Sequence, residues 1–202
     1  IGNEIMSSTT GKNVTEGEFY RTPEHTIQSI IPFLVNPVTK TSLLFSGSKI
    51  LDAGCGDGAI TSCLIKNGAN EQDIHCLDLG IVLLNMLTRK HPKVTSYNCD
   101  FLTFQTNIKF NLVIMNPPFS LAEDFIGHSI DNLLAPQGIC VALTRIAFPL
   151  PQKKKSFRAK YKYDKFELSK RPRFIVGKSG DSADYAWHRF DLLGSCGYFE
   201  VL

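Results

Sequence analysis

Net charge of one sign is scarce in this chain: 22 lysines and arginines against 19 aspartates and glutamates leave a formal charge of +3 over 202 residues. The chain is not a polycation, so any attraction to nucleic acid must come from local clustering. Its six cysteines, Cys55, Cys63, Cys76, Cys99, Cys140 and Cys196, form no C-x-x-C pair, and its five histidines form no H-E-x-x-H. Both absences speak against a zinc site or a disulfide framework and predict reduced thiols and no metal. No apolar run approaches the roughly 18 residues of a membrane span, and no leader segment is recognisable. The expectation is a soluble, cytoplasmic protein with no membrane partner. Residues 1–17 are polar and aperiodic and read as a flexible arm, which leaves residues 18–202 as a single domain.

What is present is an alternation of strands and helices. Ser48 to Ala53 reads as a strand that enters the glycine-rich turn Gly54-Cys55-Gly56-Asp57-Gly58, and Ala59 to Ile65 then reads as an amphipathic helix. Glycines in such a turn let backbone N–H groups approach a polar or anionic cofactor closely. The letters also fit G-x-G-x-x-A, with Asp78 near the position of a ribose-binding acid, so a nicotinamide or flavin site stays open at this point. Asp52 argues the other way. A carboxylate on the floor of the turn would oppose a pyrophosphate but can accept hydrogen bonds near a cationic amino-acid cofactor.

Further strands are read at Asp73 to Asp78, Val94 to Cys99, Phe110 to Met115 and Gly138 to Ile146, with a helix over Ala122 to Leu134. Five strands with intervening helices predict a doubly wound, mostly parallel Rossmann-like sheet. Asp78, beside Leu79, is a candidate for gripping two ribose hydroxyls, or else an ordinary helix cap. Asp100 and Phe101 could bond and flank an adenine, or be a loop acid beside a core ring. Upstream, Thr22 reads as an N-cap with Pro23 at the first helical position, and Tyr20 stands just before it.

The most informative stretch is Asn116-Pro117-Pro118-Phe119, directly after the strand Phe110 to Met115. Two prolines remove two N–H donors and stop the ladder at the rim of a parallel sheet, where ligands bind. The Asn116 side-chain oxygen and the Pro117 carbonyl can accept both hydrogens of a planar amino group while Phe119 stacks on its plane. The alternative is a strand that simply ends at Pro-Pro with Phe119 in the core.

On these residues the chain resembles the class I S-adenosylmethionine-dependent methyltransferases, and among them the amino-methyltransferases that carry Asn-Pro-Pro-aromatic. The order of Thr-Pro element, glycine turn and tetrapeptide resembles that of adenine-N6 DNA methyltransferases. Arg171 to Phe174 and Asp181 to Trp187 look like words of small phage- and prophage-type members. The resemblance implies a seven-stranded methyltransferase fold with an antiparallel closing strand and S-adenosylmethionine as cofactor. It implies that Tyr20, Thr22, Pro23, Asp52, Gly54, Cys55, Gly56, Asp78, Leu79, Asp100, Phe101 and Asn116 hold the cofactor, and that Asn116, Pro117, Pro118 and Phe119 hold the target amine. The substrate implied first is N6 of adenine in DNA. RNA adenine, a protein glutamine amide and a non-catalytic nucleic-acid-binding module are the alternatives. Sequence-specific DNA members append a long recognition domain, and the short stretch after the fifth strand here implies a partner that supplies target recognition.

That stretch is basic. Residues 153–178 hold 11 of the 22 lysines and arginines, interleaved with Phe157, Tyr161, Tyr163, Phe166 and Phe174. Lysines neutralise phosphates without sequence preference and exposed aromatics stack on unpaired bases. A basic insertion around residues 152–165 is thus expected to bind nucleic acid through Lys153, Lys154, Lys155, Arg158, Lys160 and Lys162. Its alternative is a lysine-protected sheet edge.

Overall fold

β-Branched and aliphatic runs that alternate with helical periodicity can bury both faces of a sheet only if helices cover each face. The computed structural model realises that arrangement. It describes residues 21–45, 47–149, 151–174, 183–193 and 199–202, so the arm expected over residues 1–17, and Tyr20, lie outside the described residues. The elements are α1 (Glu24–Ile30), β1 (Ile50–Ala53), α2 (Ala59–Lys66), β2 (Ile74–Asp78), α3 (Ile81–Lys90), β3 (Thr95–Asn98), β4 (Phe110–Met115), α4 (Ala122–His128), β5 (Leu134–Arg145), α5 (Lys155–Lys160), β6 (Tyr163–Glu167), β7 (Tyr185–Asp191) and β8 (Phe199–Val201).

They form one sheet in the order β3-β2-β1-β4-β5-β7-β6-β8. β1 to β5 are mutually parallel, and β7 runs antiparallel to both β5 and β6. This is the expected seven-stranded sheet with its antiparallel strand; β8, which pairs parallel with β6, adds a short outer strand. The closing antiparallel pair is β6, which starts at Tyr163, with β7.

Period-two alternation sends successive side chains of each strand to opposite helix layers. Ile50, Leu112, Ile114, Ile139, Val141 and Trp187 join α1, α2 and α3 in one core. Leu51, Val113, Met115, Cys140 and Phe190 join α4 and Phe157 of α5 in the other. Trp187 is fully buried and donates its indole N–H to the Thr26 carbonyl at 3.0 Å, which pins α1 to the sheet. The helix expected to reach Leu134 ends at His128 and passes through a π turn, Ser129–Leu133. Pro136 disfavours helical backbone at Ala135, so the chain turns early and β5 starts at Leu134.

Chain order reverses between β1 and β4, whose neighbours β2 and β5 lie on opposite sides. A crevice outside the carboxyl ends of these two strands is the topological switch point at which such sheets bind ligands. The glycine turn leaves β1 there. Gly58 has φ +79°, and a Cβ at this position would sit 2.7 Å from Leu87 Cδ1. The residue thus meets both a left-handed backbone and a tight α2–α3 contact. We expect Gly58→Ala to lose about 2–4 kcal/mol in urea unfolding, with Gly58→Ala/Leu87→Ala losing less than the sum of its parts; strict additivity would show that the contact is not what fixes this glycine.

Candidate active site

The register brings the two motifs level. Asp52 pairs with Ile114 across β1 and β4, and two residues beyond that pair stand Gly54 and Asn116. Leu77, the next-to-last residue of β2, pairs with Ala53, which brings Asp78 to the same rim. Asn116 Nδ2 donates to Thr22 Oγ1 at 3.0 Å, so the segment before α1 meets the end of β4 across the crevice. Thr22 is 5 % exposed and is not the helix cap that the sequence suggested. Pro23 occupies the cap position and no side chain caps the helix. The hydroxyl is spent on Asn116 instead.

The glycine turn also departs from expectation. Its amides were to face a cofactor, but the N–H groups of Gly54 and Cys55 both donate to the Leu77 carbonyl at 2.8 and 3.0 Å. Gly56 N–H donates to Asp78 Oδ2 at 2.8 Å. The turn therefore offers a smooth backbone surface rather than a nest of donors, and glycine serves close approach. Asp78 is not a helix cap either: Gly80 holds that position, and Asp78 Oδ1 accepts from its N–H at 2.7 Å. Each carboxylate oxygen still has a second lone pair for a hydroxyl donor. Burial raises the Asp78 pKa against the pull of these two amides. Leu79 is half-buried beside it.

Asp52 is fully buried on the α2 face. Oδ2 accepts from Thr61 N–H and Thr61 Oγ at 3.1 and 2.7 Å, while Oδ1 has no hydrogen-bond partner among the described residues. Burial pushes its pKa up to about 7 despite the two bonds from Thr61. A buried carboxylate with one orphan oxygen beneath a turn that admits close approach fits a cationic, hydroxyl-bearing cofactor and disfavours an anionic one. Cys55 lies beside it as a buried thiol whose pKa is raised by its contact with Cys76 and by burial.

At two further positions the structure shows the second of the two readings, a loop acid beside a core ring. Asp100 Oδ1 caps the following turn by accepting from Leu102 N–H at 3.0 Å. Phe101 is 2 % exposed and packs its ring on Phe125 at 4.7 Å and on His128 at 5.2 Å, so it belongs to the core and presents no open face.

In the tetrapeptide, the Pro118 carbonyl accepts from Leu121 N–H at 2.9 Å, and no backbone amide among the described residues donates to the Pro117 carbonyl. Phe119 is half-buried and packs against the core on the α1–α3 side of the sheet. Its centroid lies 5.6 Å from that of Tyr185 and 5.4 Å from the Arg145 guanidinium carbon. Arg145 was missed by the sequence reading; the available signal was a charged residue at the carboxyl end of the fifth strand, on the ligand-binding rim. Thr61 and the Arg21–Asp57 ion pair at 2.8 Å were missed as well.

The basic segment is not the exposed platform its composition implied. Phe157 and Phe166 are buried at 4 % and 0 %, and Tyr161 packs on Phe157 at 4.9 Å. Lys154 pairs with Glu123 at 2.6 Å and lies over Phe148. Lys160 pairs with Asp131 at 2.6 Å, which raises its pKa to about 12. Arg158 donates to the carbonyls of Pro149 and Pro151. Lys155 and Lys162 are exposed, and the side chain of Lys153 lies outside the described ones. Most of the segment is thus a helix and strand bound to the domain.

Residues 32–141, which hold the glycine turn, Asp78, Asp100 and the tetrapeptide, match the family model described as the methyltransferase small domain. The chain belongs to this family. Its cofactor is S-adenosylmethionine, which leaves no place for the nicotinamide or flavin reading. Curated relatives include the ribosomal RNA small subunit methyltransferase C of Shewanella sediminis, 32% identical over 110 residues that make up 46% of this chain and 32% of that protein. The protein of the same name from Haemophilus influenzae is 31% identical over 134 residues, 57% of this chain and 40% of the relative. The matched region spans 32% to 40% of the length of these relatives. Among solved structures, the 23S rRNA methyltransferase ErmE aligns with TM-score 0.58 at 18% identity, covering 86% of this chain and 69% of its own. The N-methyltransferase NodS from Bradyrhizobium japonicum aligns with TM-score 0.53 at 19% identity, covering 73% and 89%. At these identities the structures attest the fold. Among the described residues no helix is long and apolar enough to cross a membrane, and no group of three or more potential ligands could hold a metal.

The raised pKa of Asp52 has a defined consequence for stability. An unfolded aspartate titrates near 4, so between about pH 4 and about 7 the folded state binds more protons than the unfolded one. Stability must therefore fall as pH rises through that window and level off above it. We expect Asp52→Asn to flatten this part of the profile measured by urea unfolding; an unchanged slope would assign the pH dependence to other groups.

Proposed function

We propose that this domain transfers a methyl group to the exocyclic amino group of a nucleic-acid base, adenine N6 in RNA being the first candidate. The observation that carries this reading is the position of Asn116, level with the glycine turn and bonded to Thr22 at the switch point of the sheet. An exocyclic amine is a weak nucleophile because its lone pair is delocalised into the ring. Accepting its two hydrogens at Asn116 Oδ1 and the Pro117 carbonyl favours a pyramidal nitrogen with the lone pair directed at the donor. Orientation and preorganised dipoles then supply most of the acceleration, and no strong base is needed beforehand. Phe119 offers the ring face for the base, and the Arg145 guanidinium beside it can meet the base edge or its phosphate. After transfer the cationic nitrogen releases its extra proton to water.

The cofactor supplies the electrophilic methyl when bound. On this reading Asp52 answers its cationic end, Asp78 its ribose hydroxyls, and Thr22 and Pro23 close over it beside Asn116. Gly54, Cys55 and Gly56 form the floor. Leu79, Asp100 and the backbone at Phe101 border the adenine. The substrate moves from DNA, favoured on motif order, to RNA because the relatives bear the names of ribosomal RNA methyltransferases. Recognition of a particular site would then draw on a partner or on chain beyond this domain.

The deciding experiment supplies methyl-labelled S-adenosylmethionine with separate pools of unmodified structured RNA, DNA and protein, followed by nucleoside analysis. N6-methyladenosine in RNA is the expected product. Label confined to protein would overturn the reading. Asn116→Ala should lower turnover at least 100-fold, on the scale of one lost preorganised contact, with cofactor affinity nearly unchanged. Thr22→Val, which keeps the shape but removes the hydroxyl, should cost about tenfold in kcat through misorientation of Asn116.

A further inference from the structure

Phe157 and Phe166 of the basic segment are buried and three of its cations are engaged, so other surfaces become candidates for the charge that meets a polyanion. We propose that the groove between α1, α2 and the carboxyl end of α3 receives the sugar-phosphate backbone of the RNA substrate flanking the target nucleotide. The inference rests on the nucleic-acid reading above and adds the surface that holds the substrate.

The groove has a volume of about 480 Å³, and its lining includes Arg21, Lys66, Lys90 and Arg173 with Glu24 as its one carboxylate among the described residues. Arg21 is paired with Asp57 at 2.8 Å and Lys66 with Glu24 at 2.5 Å. Lys90 and Arg173 have no carboxylate partner among the described residues. Lys90 Nζ donates instead to Ser62 Oγ at 2.9 Å, and the same hydroxyl meets His91 Nε2 at 2.8 Å. Burial and then Lys90 lower the His91 pKa, opposed by Glu71 at 3.9 Å from Nδ1, so the imidazole adds a neutral polar edge. The cations converge: Glu24 is held below the usual carboxylate range by Lys66 first and, more weakly, by Lys90. Just outside the groove, Lys170 contributes to the low pKa of His25 after burial.

Two routes join this groove to the tetrapeptide. Thr22 lines it and is bonded to Asn116. Phe174 forms part of its wall and leads through Tyr185, at 5.1 Å, to Phe119, at 5.6 Å from Tyr185. A nucleotide held at Phe119 would thus continue its backbone past Phe174 toward Arg173 and Lys90. An arginine fork and a lysine point charge, neither paired with a carboxylate among the described residues, suit successive phosphodiesters, which carry one negative charge each. A compact apolar or cationic partner would leave these charges unanswered.

The test is the salt dependence of binding to a fluorescently labelled RNA hairpin, measured with the full chain. Lys90→Ala/Arg173→Ala should reduce the slope of log K against log salt by about 1.4, at roughly 0.7 per lost phosphate contact. Charge-retaining Lys90→Arg/Arg173→Lys should restore most of it. Both positions are at the surface, and unchanged S-adenosylmethionine binding will verify that the variants are folded. An unaltered slope in the alanine pair, while the wild type methylates RNA, overturns this inference alone, as does a fall confined to Lys155→Ala/Lys162→Ala. A wild type that binds no RNA and labels only protein overturns the functional reading and the groove with it.

Discussion

The hydrogen bond from Asn116 to Thr22 is the constraint on which the site depends. It joins residues that are 94 apart in the chain, and it closes the crevice between the end of β4 and the segment entering α1. Its geometry is held from both sides. On one side, β4 is central in the sheet, registered against β1 and β5, and stops because two prolines follow Asn116. On the other, α1 cannot drift, because Trp187 beneath it bonds the Thr26 carbonyl. A single part-buried amide–hydroxyl contact contributes only about 1 kcal/mol. What it fixes is an orientation, which in a transfer reaction governs the rate more than the stability.

The same economy of polar contacts runs through the glycine turn. Its amides are consumed by Leu77 and Asp78, which makes the turn rigid and leaves its surface free of side chains. Asp52 below it is the opposite case, with an oxygen that nothing among the described residues answers. A buried orphan acceptor is costly, and its retention beneath the glycine turn is physically sensible if a cationic ligand completes it. Rigid backbone and an incomplete carboxylate therefore act together: one defines the shape of the ligand and the other its charge.

The charge distribution carries a related lesson. Lysine count along the chain pointed to residues 152–165, yet Lys154, Arg158 and Lys160 are tied to Glu123, to proline carbonyls and to Asp131. The groove in which Lys90 and Arg173 have no carboxylate partner among the described residues is assembled from four distant parts of the chain, around residues 21–27, 59–66, 90 and 173. Effective charge depends on the neighbours each cation acquires, and composition does not record them.

The residues that the sequence could identify were those whose roles follow from local chemistry. Glycines at a strand-to-helix turn, prolines that end a strand and alternating apolar runs are all short-range signals, and they were enough to read the doubly wound sheet, the crevice and the Asn-Pro-Pro-Phe motif. They were not enough for Thr22, Phe101 and the basic segment, whose roles are settled by partners 20 or more residues away. Only the folded chain decides whether a threonine hydroxyl caps its own helix or bonds an asparagine across a crevice. The same holds for whether a ring faces a ligand or a core, and whether a lysine faces solvent or an aspartate. These outcomes depend on which surfaces the sheet topology brings together, and burial makes one of the competing contacts far more favourable than the local pattern reveals.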